Sequence, residues 1–256
     1  MKKRLLSFIT FRSYAACLSV LFMASFVLAG SPAFAKGKDG KTIYENNCLS
    51  CHGVKGDSRS ATAANLLVKP RNFTLGLYKF KSTPGDSLPT DDDLRKVIKN
   101  GLSGSSMPNF RLMSDADLNA VVGYIKSLSP RFANEKPGVA AVAPKIPGFV
   151  GTKASRDEGA KLFVTRCEMC HGSRASRTNV TFMLKWPGSA ICNDRVRPAD
   201  FTAGRIKRGI TVEDIFMSIT SGADNTPMLA FDKMLSEDER WHLVSYILEF
   251  MGKGGR

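Results

Sequence analysis

The sequence predicts an all-α protein built from two like units in tandem, and three observations lead there. The pattern Cys-x-x-Cys-His occurs twice, as Cys48-Leu49-Ser50-Cys51-His52 and as Cys167-Glu168-Met169-Cys170-His171, each time followed by a glycine. Around both copies, segments with apolar residues at helical spacing come in the same order. Between them, residues 130–153 hold Pro130, Pro137, Pro144 and Pro147 without helical periodicity, the composition of an extended linker. No segment alternates convincingly in the manner of a strand. The expected division is a leader over 1–35, one domain over 36–129, the linker over 130–153 and a second domain over 154–256.

Taken in order, each unit opens on a short apolar stretch, Gly40 to Tyr44 in one and Gly159 to Phe163 in the other, that suits a helix leading into the cysteines. Next come Lys69-Pro70-Arg71-Asn72-Phe73-Thr74 and its echo Arg197-Pro198-Ala199-Asp200-Phe201-Thr202, on loops of unequal length. Thr90 with Asp93, and Thr211 with Asp214, each place a hydroxyl ahead of a helix and an acid three residues later, so a reciprocal cap is expected. Leu94 and Ile98, or Ile215 and Ile219, then share one face, and Gly101 and Gly222 end the helices. A loop with a methionine beside a proline follows: Met107-Pro108, and Pro227-Met228. The last helix of each unit begins at Ser114 or at Ser236, and the pair Ser236 and Glu239 is a regular capping box.

Two thiols three residues apart with an imidazole directly after the second form the attachment sequence of a c-type haem. Each thiol adds to one vinyl group, and the histidine is carried under the iron. A four-cysteine zinc site, a thioredoxin-like pair or two short disulfides would use the cysteines, but none of these needs a histidine at that position. Two of the three histidines in the chain stand there. The third, His242, reads as a packed or surface residue, and with one spare imidazole bis-histidine ligation at both haems is impossible.

The first 35 residues carry Lys2, Lys3, Arg4 and Arg12, an apolar run from Ala15 to Leu28, and Ser31-Pro32-Ala33-Phe34-Ala35, so a secretory signal cleaved after Ala35 is expected. An uncleaved anchor is the alternative; the run, about 14 residues, is short of the roughly 20 that span a bilayer. The formal charge is +14, and four of the cations lie in this leader. Arg174, Arg177, Lys185, Arg195, Arg197, Arg205, Lys207 and Arg208 make the centre of the second unit basic. Beyond ordinary solvated charge, such a surface suits an acidic redox partner or an anionic membrane.

The order of helix, Cys-x-x-Cys-His, loop, helix, methionine loop and terminal helix resembles the class I cytochromes c, and the duplication resembles their dihaem, two-domain electron carriers. The resemblance covers nearly the whole chain after residue 35. It implies two covalently bound haems c, attached through Cys48, Cys51, Cys167 and Cys170, with His52 and His171 as proximal ligands and Met107 and Met228 as distal ones. Met113 and Met234 also repeat, but Met113 directly precedes the Ser114 cap and Met234 stands one residue farther from Ser236, so both read as packing. The resemblance further implies export to the periplasm, where such haems are attached, single-electron transfer as a free carrier or as a subunit of a larger oxidoreductase, redox proteins as partners, and no nucleic acid. The rival is a dihaem enzyme, a thiosulfate dehydrogenase or a peroxidase. Cys192 motivates the first of these, because thiosulfate dehydrogenases have a similarly placed cysteine, although in their first haem domain.

Overall fold

The computed structural model describes residues 39–173, 182–185, 193–224 and 226–251. The leader, its expected cleavage point, Arg174, Arg177 and Cys192 lie outside the described residues. The fold is all-α apart from one small ribbon.

In the first half, α1 (Gly40–Asn47) runs into the short α2 (Leu49–His52), followed by α3 (Ala61–Asn65), a 3-10 turn at Phe73–Leu75, α4 (Asp91–Asn100), α5 (Asp115–Ser127) and α6 (Pro130–Asn134). The second half repeats the frame with α7 (Lys153–Arg166), α8 (Glu168–His171), α9 (Val212–Ser221) and α10 (Glu237–Met251). It adds a two-stranded antiparallel ribbon, β1 (Phe182–Lys185) and β2 (Asn193–Val196), with Phe182 opposite Val196 and Lys185 opposite Asn193. The expectation of no strand fails here because four-residue segments are too short to display a period.

The caps form largely as their residue types dictate. Thr90 accepts from the Asp93 N–H at 3.1 Å while Asp93 accepts from the Thr90 N–H at 3.0 Å. Ser236 and Glu239 close the same reciprocal box at 3.2 and 2.8 Å. Thr211 accepts from the Asp214 N–H at 3.1 Å, but the Asp214 carboxylate pairs with Lys96 of the first half, so the expected reciprocal cap forms only on the Thr211 side. A cap residue has thus been recruited to hold the halves together.

Each half has its own apolar core. In the first, Ile43, Tyr44, Phe73, Leu94, Leu118, Val121 and Ile125 cluster, and in the second Phe163, Phe201, Ile215, Phe216, Trp241 and Val244 do. In both, the helix leading to the cysteines crosses the terminal helix at a glycine, Gly40 over α5 and Gly159 over α10. A Cβ built on Gly40 would lie 2.0 Å from the Ala120 carbonyl oxygen. The helices approach as closely as backbone allows.

Residues 130–153 depart from the expected extended chain at both ends. Pro130 takes the first position of α6 behind the Ser129 cap, a place where its missing N–H costs nothing and its fixed φ is already helical. At the far end, Thr152 caps α7, which starts at Lys153, six residues before Gly159. The part between is extended and laid on the first half: the Ala141 N–H donates to Ser82 O at 2.9 Å, and Leu88 and Pro137 form a parallel bridge. Beyond it, Phe149 and Val150 pack on the second core.

Candidate functional site

The Cys-x-x-Cys-His pentapeptides are delivered in the same way in both halves. Each first cysteine ends the preceding helix, its N–H bonded to Tyr44 O or to Phe163 O, both at 2.8 Å. The next four residues make one helical turn, and a glycine with positive φ follows, Gly53 at 83° and Gly172 at 80°. At Gly53 a Cβ would meet the Arg59 carbonyl oxygen at 2.8 Å. The turn puts both thiols and the imidazole of each motif on one wall.

The imidazoles are then oriented by elements distant in sequence. His52 Nδ1–H donates to Arg71 O at 2.9 Å, and His171 Nδ1–H donates to Ala199 O at 3.2 Å. A carbonyl can only accept, so each Nδ1 carries the proton and each Nε2 keeps its lone pair for a metal. Phe73 stacks on His52 with centroids 4.4 Å apart, and Phe201 stacks on His171 at 4.9 Å. Burial lowers the pKa of both imidazoles and favours the neutral form that a metal needs. The repeat of Lys69–Thr74 in Arg197–Thr202 was visible in the sequence, but its use was not, because a backbone carbonyl has no residue type.

The methionine loops are also alike. In the first, Leu102 N–H donates to Met107 O at 3.2 Å and Met107 N–H to Ser105 Oγ at 3.2 Å. In the second, Ala223 N–H donates to Met228 O at 3.0 Å and Met228 N–H to Thr226 Oγ1 at 3.1 Å. Gly101 and Gly222, with φ of 67° and 63°, end α4 and α9 tightly against these loops; a Cβ at Gly222 would sit 2.5 Å from Met228 O.

One continuous cavity of about 980 Å³ is lined by Cys48, Cys51, His52 and Met107 from the first half and by Cys167, Cys170, His171 and Met228 from the second. It lies at the large end of the ~300–1,000 Å³ range of ligand sites. Met113 and Met234 do not line it. Met113 packs on the first core, as its place before the cap suggested, whereas Met234 is 48% exposed and is not a core residue. His242 stays outside the cavity as well, its Nδ1 2.9 Å from Ser155 Oγ and its ring against Phe149.

The wall fits two haems. Burial pushes the Cys48 thiol up to about 11 and the Cys167 thiol up to about 12, so neither is the acidic thiol of a redox pair. Among the described residues no three His, Cys, Asp or Glu side chains converge into a protein-only metal site. The Tyr78 hydroxyl is buried in the wall with no protein hydrogen-bond partner, a donor placed for an acceptor supplied by a ligand. Arg71, Lys79, Arg197, Arg205 and Lys207 line the cavity against a single carboxylate, Asp200, among the described residues. That balance suits the carboxylates of haem.

Arg208 corrects one expectation drawn from the basic stretch. It is not a steering charge on the surface: it donates to Met217 O at 2.6 Å and Ser221 Oγ at 3.0 Å, and its second nitrogen reaches Lys81 O in the first half. Arg197 and Arg205 are exposed.

Comparison with known proteins points the same way. A chain of the reducing HAO-like protein complex of Kuenenia stuttgartiensis superposes with a TM-score of 0.72 at 32% identity, covering 82% of this chain and 94% of that one. The thiosulfate dehydrogenase of Psychrobacter arcticus is 31% identical over 50% of this chain and 35% of its own length. The cbb3-type cytochrome c oxidase subunit FixP of Azorhizobium caulinodans is 26% identical over 52% of this chain and 38% of its own. The chain thus spans little more than a third of the length of these two curated relatives. The family model of the cytochrome c oxidase, cbb3-type, subunit III matches twice, at residues 35–125 and 154–247. Two domain matches, two attachment sequences and one wall built twice make this chain a member of that cytochrome c family that carries two covalently bound haems c.

Proposed function

We propose that this protein is an exported dihaem cytochrome c of the class I type that moves single electrons as the electron-transfer subunit of a larger redox assembly. Cys48 and Cys51 hold one haem by thioether bonds and Cys167 and Cys170 the other. His52 and His171 are the proximal ligands, Met107 and Met228 the distal ones. A bound haem supplies the one-electron couple, and a thioether ligand favours its reduced state. The chain's own residues fix the imidazole tautomer, present the sulfur and exclude water. Were His52 with Met107, and His171 with Met228, to hold the two haems, neither iron would keep a place for a substrate.

The observation that carries this reading is the equivalence of the two methionine loops, hydrogen-bonded alike and lining one cavity with both histidines. The continuous cavity also leaves the two haem sites open to one another, which suits transfer between them. The subunit role is supported by the near-complete coverage of one chain of the HAO-like complex. The family match stops at residue 125 and resumes at 154, in keeping with domains over 36–129 and 154–256 and a linker over 130–153. Periplasmic location follows from the leader over residues 1–35, cleaved after Ala35. Among the described residues no helix is long and apolar enough to cross a membrane. The docking partner is a redox protein, met through exposed cations such as Arg197 and Arg205.

The test is the near-infrared sulfur-to-iron charge-transfer band of the oxidised protein. Met107→Ala and Met228→Ala should each remove about half of it. A band untouched by either change removes that methionine from the ligand set. Similarity to a thiosulfate dehydrogenase gives a second reading, an enzyme in which Cys192 binds the second iron. It requires turnover with thiosulfate and a changed haem spectrum in Cys192→Ser; the carrier reading requires neither. A peroxidase would need further histidine ligands, and His242 is engaged elsewhere.

A further inference from the structure

Resting on Met228 as an iron ligand, we propose that the first half holds the second half's methionine loop in place, with Lys81 as a positioning residue for Met228.

The loop between Gly222 and Met228 is tied to itself at both ends of Met228. Ala223 N–H takes the Met228 carbonyl at 3.0 Å, and Thr226 links the Met228 N–H, at 3.1 Å, back to Ala223 O, also at 3.1 Å. Asp224 sits inside this turn and is gripped by the other half. Its N–H donates to Lys79 O at 3.3 Å, and its carboxylate lies 2.5 Å from Lys81 Nζ. Asp224 Oδ2 is buried and makes no regular hydrogen bond, so this is first a contact between opposite charges.

Lys81 is built to stay where it is. It is 4% exposed, and its ammonium also donates to Thr83 O at 2.9 Å and to Gly85 O. Its carbonyl takes Arg208, which in turn holds Met217 O and Ser221 Oγ at the end of α9, the helix that feeds the loop. Residues 79–81 thereby grip the loop at its start and at its middle. Moving Met228 away from its site would pull Asp224 off Lys81 and leave a buried ammonium without its counter-ion, which low-dielectric surroundings penalise.

The first loop supplies the internal comparison. Leu102, Ser105 and Met107 match Ala223, Thr226 and Met228 in hydrogen bonding, but the place of Asp224 is taken by Ser103, an exposed residue. The two distal sulfurs are presented by the same local turn, and only the second carries the aspartate that the other half clamps.

Amide hydrogen exchange on the oxidised, full-length holoprotein tests this without any variant. Ala223 and Met228 should exchange at least about tenfold more slowly than Leu102 and Met107; equal or faster exchange overturns the clamp. Lys81→Met and Asp224→Ser, the latter copying Ser103, should erase the difference and remove up to half of the sulfur-iron band while both haems remain attached by mass. If Met228→Ala removes half the band and Lys81→Met leaves band and exchange intact, the positioning role alone is overturned. If Met228→Ala leaves the band whole, the ligand reading falls and takes the positioning role with it. Should the variants fail to fold, the exchange contrast in the unaltered protein still decides.

Discussion

Gly159 passes so close to His242 that a Cβ on the glycine would stand 2.0 Å from the His242 carbonyl oxygen. Helix propensity alone favours alanine at an interior helical position by about 1 kcal/mol. The obstacle is backbone of α10, which cannot swing aside, and overpacking of this kind costs about 1–3 kcal/mol. Gly159→Ala should therefore destabilise the holoprotein in a denaturant titration, whereas Gly123→Ala, where a Cβ meets nothing within 4 Å, should not. A stabilised Gly159→Ala protein would contradict the close crossing of α7 and α10.

Mass spectrometry of the exported protein should show a chain beginning at Lys36 plus two haem groups that survive acidic acetone. Each attachment depends on both cysteines, so Cys51→Ala should leave at most one thioether on the first haem and Cys170→Ala the same on the second. Haem lost to acid solvent from the unaltered protein would refute covalent attachment at these sites.

Replacing a thioether by water removes a ligand that favours ferrous iron. Potentiometric titration of Met107→Ala and Met228→Ala should show one couple moved to lower potential in each variant and the other nearly unmoved. Met113→Leu should move neither couple, since Met113 packs on the core outside the cavity.

The core of the first half is complete within residues 43–132. A fragment of residues 36–135, matured with its haem, should be a folded red protein with a single cooperative transition. Lys81 loses Asp224 in this fragment but keeps the carbonyls of Thr83 and Gly85 as acceptors. An insoluble or haem-free product under working export and maturation would show that the halves depend on each other for folding.

Glu239 closes the cap of α10, and the N–H of Ser236 holds its carboxyl below the usual carboxylate range. A carboxyl with a depressed folded pKa stabilises above its unfolded value, near 4.3, and that contribution disappears as pH falls through the folded value. Compared with Glu239→Gln, the unaltered protein should thus lose stability as pH falls below the unfolded value and through the lower folded one, and the two should converge at the acid end. A constant difference across this window would remove the carboxylate from the cap.

What the sequence by itself determined is what local covalent chemistry determines. Two thiols and an imidazole at fixed spacing specify a cofactor, and Thr90 with Asp93, or Ser236 with Glu239, specify helix starts through atoms at most three residues apart. The repeat doubled each such signal, and it set Met107 and Met228 in like loops beside a proline. Tertiary structure decided whatever depends on pairs distant in sequence. The carbonyls of Arg71 and Ala199 orient the imidazoles, although nothing in their residue types shows it. Asp214 gives its N–H to the Thr211 cap while its carboxylate goes to Lys96, and Arg208 is drawn from the expected surface patch into the contact between halves. Lys81 and Asp224 look like solvated charges when read singly. Only the tertiary structure brings them within 2.5 Å of each other across the two halves and buries the Lys81 ammonium, so that parting them would leave a buried charge without its counter-ion.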